Sequence, residues 1–105
     1  MGRALDGAWF GIPGSHLAAL CSDGSLAKGY QEGDAELTFM LGVCYGFGIA
    51  VTMDQHRAAS LWHTAATTQR KPSRRAMCAL AECYFLGVAM QRSASEAVRW
   101  WRAAA

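Results

Sequence analysis

Four cysteines, three histidines, a Gly46-Phe47-Gly48 run and a cluster of cations near residue 70 are the features of this 105-residue chain that could do chemistry. A zinc site needs ligands at short paired spacings, and Cys21, Cys44, Cys78 and Cys83 contain no Cys-x-x-Cys. They read as reduced, small apolar fillers. His56 and His63 stand seven apart and His16 is remote in sequence, whereas a metal pair on a helix wants i, i+4 with a third ligand at hand. They read as surface histidines. Gly46-Phe47-Gly48 lacks the third glycine of a dinucleotide loop and follows a helical pattern rather than a strand, so it reads as a turn. No Gly-x-Ser-x-Gly elbow, phosphate-binding loop or close carboxylate pair is present. The chain therefore reads as a non-enzyme, with no metal, cofactor or small-molecule substrate expected.

The cations point elsewhere. Arg70, Lys71, Arg74 and Arg75 put four positive charges into six residues, and Arg92, Arg99 and Arg102 follow. Such a run is either a solvated loop or the contact for an anionic partner, an acidic protein face or RNA phosphate. Charge is also polarised along the chain. Residues 1 to 52 carry two basic and five acidic side chains, and residues 53 to 105 carry eight basic and three acidic.

These residues must be carried by a folded scaffold. Hydrophobic residues make up 52% of the chain against 17% charged, which excludes disorder, and the length suits one domain. Leu37 to Met53 is uncharged, but Gly42, Gly46 and Gly48 interrupt it and Asp54 follows, so membrane insertion is not expected. Near the N-terminus, Asp6 interrupts any signal-peptide core after Arg3, and it stands where a myristoylation signal at Gly2 wants Ser or Thr. With no targeting sequence visible, an intracellular, cytoplasmic site is expected, an organelle remaining open.

Shifting the chain by 39 positions aligns Leu37–Ala66 with Ala76–Ala105 and gives nine identities in thirty pairs, among them Cys44/Cys83, Tyr45/Tyr84, Gly48/Gly87 and Trp62/Trp101. Leu37, Met40, Leu41, Cys44 and Tyr45 follow helical spacing, and Ala76, Ala79, Leu80, Cys83 and Tyr84 copy it. Asp34 stands at the N-cap with Glu36 in the first turn, and Gly48 and Gly87 stand where left-handed helix stops belong. A second helix carries Ala58, Leu61, Trp62, Ala65 and Ala66, matched by Ala97, Trp100, Trp101, Ala104 and Ala105. Ser93-Ala94-Ser95-Glu96 reads as a capping box at the start of its second copy. Each unit is helix, glycine turn, helix, and the expected fold is an all-α, α/α solenoid. In this reading Leu41, Gly42, Tyr45, Gly48, Ala58, Trp62, Leu80, Tyr84, Gly87, Ala97 and Trp101 build the repeat core.

Gly33-Asp34-Ala35-Glu36, Leu41-Gly42, Tyr45, Gly48, Val51, Asp54, Ala58, Leu61-Trp62 and Ala65-Ala66 together resemble the Sel-one-like repeat, a longer relative of the tetratricopeptide repeat. Leu80, Tyr84, Gly87, Ala97, Trp100-Trp101 and Ala104-Ala105 carry the resemblance through a second unit. The pattern's second turn glycine is Ala50 and Ala89 here, Gly42 becomes Ala81, and Asp54 becomes Ser93. The resemblance implies two units, 33–69 and 70–105. Residues 1–32 then form either an N-terminal cap or a degenerate half repeat, with Gly11–Ser15 as its turn and His16–Cys21 as its helix.

Such repeats commonly scaffold assemblies, so the resemblance implies a non-catalytic protein-binding adaptor or a small subunit of a larger complex. Two units bury little apolar surface alone, and no polar helix follows the one bearing Trp100 and Trp101, so a partner covering that helix is expected. Arg70, Lys71, Arg74, Arg75, Arg99, Trp100 and Arg102 are the expected partner-binding residues. Sequence-specific RNA reading usually uses aromatic stacking, and Tyr45, Tyr84, Trp62 and Trp101 sit in core register, so an acidic protein ranks above RNA. A structural role in a ribonucleoprotein, with the 70–75 cluster on RNA, is the alternative. A further alternative is the β-lactam binding or hydrolysis linked to cysteine-rich relatives, but those pair cysteines within each unit and this chain does not.

Overall fold

The computed structural model describes residues 13–105. Six helices form there: α1 (Gly14–Ser22), α2 (Ser25–Gln31), α3 (Ala35–Phe47), α4 (Gln55–Thr67), α5 (Arg74–Leu86) and α6 (Ala94–Ala104). No strand occurs among the described residues, and the helices pack in adjacent pairs, α3 with α4 and α5 with α6, as an α/α solenoid does. None of them is long and apolar enough to cross a membrane. Gly2, Arg3 and Asp6, read above for targeting, lie outside the described residues, as do Gly11 and Ile12 of the expected N-terminal turn.

Each repeat helix starts on a side-chain oxygen. Asp34 Oδ1 accepts from the Leu37 amide at 3.0 Å and Asp54 Oδ1 from that of Arg57 at 3.1 Å. Ser73 Oγ and Ser93 Oγ accept from the Ala76 and Glu96 amides at 3.1 and 3.2 Å. These acceptors satisfy donors that an α-helix leaves unpaired in its first turn. The expected capping box at Ser93 is only half formed. The Glu96 carboxylate turns to Arg99 at 3.3 Å, while the Ser93 amide donates instead to the Tyr84 carbonyl at 2.9 Å.

α3 and α5 end on Gly48 and Gly87 in the left-handed region, at φ 67° and 74°. Two residues on, Ala50 and Ala89 are held there too, at 64° and 62°, a strain of about 1 to 2 kcal/mol each. The chain holds that geometry because each turn is tied back at its far end. Asp54 donates its amide to the Tyr45 carbonyl at 2.8 Å, as Ser93 does to Tyr84. The Gly46-Phe47-Gly48 reading needs correcting on this point: Gly46 and Phe47 complete α3, and only Gly48 begins the turn.

The core is continuous from the N-terminal helices to the second unit. Leu17 of α1, Leu26 of α2, and Phe39, Val43 and Cys44 of α3 are wholly buried, and join Trp62 and Ala65 of α4 and Ala76 and Leu80 of α5 in one cluster. Of the expected α3 stripe, Leu41 and Cys44 are buried while Leu37, Met40 and Tyr45 are half-buried. Of the three wholly buried side chains of α3, Phe39 and Val43 lie off that stripe. α3 packs against α2 on one side and α4 on another, so it is apolar almost all round rather than along one face.

A second correction concerns Trp101. Its counterpart Trp62 is 6% exposed, but Trp101 is 37% exposed and does not belong to the core. The cause lies in the facing helix. Trp62 lies across Gly42 and Gly46 and donates Nε1–H to the Phe39 carbonyl at 3.2 Å. A Cβ on Gly42 would stand 2.5 Å from Trp62 Nε1, and one on Gly46 3.1 Å from Cη2. In the second unit those positions are Ala81 and Phe85, so the seat is filled and the indole moves outward onto Phe85, with ring centres 5.7 Å apart. Ala58, Leu80 and Ala97 are buried as expected, and Tyr84, like Tyr45, is half-buried.

Candidate partner-binding surface

α4 ends at Thr67, and residues 68–73 cross to α5 as an exposed loop anchored at its far end by buried Ser73, whose amide donates to the Ala65 carbonyl at 2.9 Å. Arg70 and Lys71 project from this loop, and Arg74 and Arg75 from the first turn of α5. With Pro72, Met77, Glu36 of α3 and Ala103 of α6 they line an open groove of about 850 Å³. Four cations therefore converge with one carboxylate. Among the described residues none of the four makes an ion pair, the only such pair being Arg99–Glu96.

Helix electrostatics make this placement costly. The start of a helix carries partial positive charge and favours acidic residues. In the first unit the corresponding positions are Ala35 and Glu36; in the second they are Arg74 and Arg75, with no acid in that turn. Stability of the isolated helix disfavours this choice, and an anion in the groove would offset it.

Arg99, Trp100 and Arg102 do not line the groove. Arg99 is held over Trp100, 5.7 Å from the ring centre, while it pairs with Glu96. Trp100 is half-buried, meeting His63 of α4 edge to face at 6.1 Å, and its buried Nε1–H has no hydrogen-bond partner among the described residues. Arg102 is exposed on α6. The seven expected binding residues thus separate into a groove set and an α6 set. Ser73, whose capping oxygen and amide fix the loop, carried no sequence signal beyond its place just ahead of a helical pattern.

The cysteines are free thiols. Cys44 is pushed up to about 12 by burial first and by neighbouring Cys21 second; Cys83 rises to about 11 through burial and then the charge of Glu82. Both stay protonated and covered at pH 8. Iodoacetamide at that pH should modify Cys44 and Cys83 only after unfolding in urea, as read by peptide mass spectrometry. Alkylation of Cys44 in the native chain at the unfolded rate would contradict this packing. No group of three or more His, Cys, Asp or Glu side chains placed to hold a metal occurs among the described residues.

The Sel1 repeat profile matches residues 35–67 and 74–105, the α3–α4 and α5–α6 pairs. No curated protein and no solved structure matches the chain. Sel1 repeats generally mediate protein–protein interaction and are typically non-catalytic modules. With its matched residues covering more than half the sequence, the chain belongs to the Sel1 repeat family.

Proposed function

We propose that the chain is a non-catalytic adaptor, a small subunit of a larger assembly, and that it holds an acidic protein segment in the groove of Arg70, Lys71, Arg74 and Arg75. In this reading residues 1–32 serve as an N-terminal cap or half repeat ahead of units 33–69 and 70–105, and Arg99, Trp100 and Arg102 extend the binding surface along α6. The observation that carries it is the pair of arginines in the first turn of α5, where the first unit has Ala35-Glu36. Among the described residues no aromatic side chain lines the groove, so base stacking there would fall to the arginine guanidinium planes alone, which ranks RNA second.

Tagging the chain, purifying it at moderate salt and identifying stoichiometric companions tests the reading. An equimolar protein that binds the wild-type chain and is lost from the R70E/K71E/R74E/R75E variant is expected. Isolation of the chain alone, or a companion indifferent to the four reversals, would overturn it. A single Arg75→Glu should separate stability from binding. It restores the first unit's choice, so it should stabilise the unbound chain by about 0.5 to 1 kcal/mol, raising Tm by about 4 °C, while weakening the partner. A drop in Tm would show that the arginine serves the fold.

A further inference from the structure

The outward displacement of Trp101 leaves a second surface, none of whose residues line the groove. Phe85, Leu86, Val98 and Trp101 are 45, 56, 43 and 37% exposed; Trp101 meets the Phe85 ring at a tilt and stands one turn after Val98, and Leu86 follows Phe85 in the chain. Single exposed apolar residues need no explanation, but four contiguous ones including a tryptophan mark an interaction face. We propose that this face docks an amphipathic, acidic helix of a partner protein, a proposal that rests on the protein-binding reading above and names a second contact within it.

Three observations select that occupant. The chain already covers the equivalent surface with a helix: α5 packs on α4, and Ala59, at the position of Val98, is buried. Where the first unit has Ala59 and Gly46, the second has Val98 and Phe85, so the open copy of the surface is more apolar than the closed one. Second, the rim is basic. The Arg92 guanidinium lies 5.8 Å from the Phe85 ring centre and Arg102 is exposed beside Trp101, while of the nearby acids Glu96 is engaged by Arg99 and Glu82 is half-buried one turn before Phe85. An acidic helix is favoured there and a basic one repelled. A second copy in two-fold contact would bring two basic rims into one interface, so like charges disfavour it. Third, α6 has eleven residues and is about 16 Å long, which suits three turns of a partner helix with anchors at i, i+3 or i+4, and i+7.

The test is selection of binders to the full chain from a displayed library of random sixteen-residue peptides, at near-physiological salt. Enriched peptides should carry a net negative charge with apolar residues at helical spacing. Trp101→Ala should weaken them by about tenfold or more, and Arg92→Glu with Arg102→Glu by a similar factor. All three positions are exposed, and a circular dichroism melt checks that the variants fold. Neutral or basic winners, winners indifferent to Trp101→Ala, or no enrichment would overturn the proposal. So would a mass that grows with concentration in sedimentation and returns to monomer in Trp101→Ala, which would give the face to a second copy. Winners lost on reversing residues 70–75 but kept by Trp101→Ala would overturn the docking face and leave the adaptor reading standing.

Discussion

Gly42→Ala is expected to lower the stability of the chain by about 2 to 3 kcal/mol and Tm by about 10 to 20 °C, although helix propensity alone predicts the opposite sign. Alanine in the middle of α3 is favoured over glycine by about 1 kcal/mol. The added methyl, however, would stand 2.5 Å from Trp62 Nε1 and 2.7 Å from Cδ1, distances that packed atoms do not adopt. Either α4 moves away from α3 along its length or Trp62 leaves its seat. Leaving it exposes a large aromatic surface and breaks the hydrogen bond to the Phe39 carbonyl. The second unit displays that outcome, with Ala81 in place and the indole outside. Thermal melts of wild-type and Gly42→Ala chains, with hydrogen exchange of the Trp62 indole N–H, read both halves of the effect. An unchanged or raised Tm would mean that Trp62 does not depend on the bare backbone of α3.

The same contrast explains how far the sequence could be read. The repeat, its helices and their ends were legible because each depends on local spacing: Asp34 and Ser93 cap where they stand, and Gly48 and Gly87 take left-handed φ at the end of their own helices. The place of Trp101 was not, because alignment gives it the core register of Trp62, whereas its seat depends on residues 81 and 85 of another helix. Phe39 and Val43 escaped for a related reason. A stripe read at helical spacing finds one buried face, and α3 has several because α1 and α2 supply Leu17 and Leu26 to its far side. At the groove, the four cations were visible as a run, but their meeting with Glu36 and Ala103 depends on how the two units stack. Nor does sequence spacing alone separate Arg99, Trp100 and Arg102 from that groove.

Phe39→Ala should have the largest effect of any single truncation here, a loss of about 3 to 5 kcal/mol. Phe39 is wholly buried and belongs to the cluster that links Leu17 and Leu26 of the N-terminal helices to Val43 of α3 and Trp62 of α4. Truncation removes a ring's worth of burial and opens a cavity whose walls come from several helices, so no single helix can shift to fill it. Against the roughly 5 to 15 kcal/mol that holds a domain of this size together, such a loss brings part of the population to the unfolded state near room temperature. Urea titrations followed by far-ultraviolet circular dichroism should show the midpoint falling with an unchanged slope. Phe39→Leu, which keeps most of the volume, should cost less than about 1.5 kcal/mol, and Phe85→Ala, on a half-exposed ring that meets Trp101, about 1. The slope carries the structural content. If Phe39→Ala instead splits the transition in two, α1 and α2 fold and release independently of the repeats, and residues 13–32 are an appendage. A single transition that shifts as a whole means that they are part of the same cooperative core, and that the α3–α4 pair depends on them for the burial that a further repeat would otherwise supply.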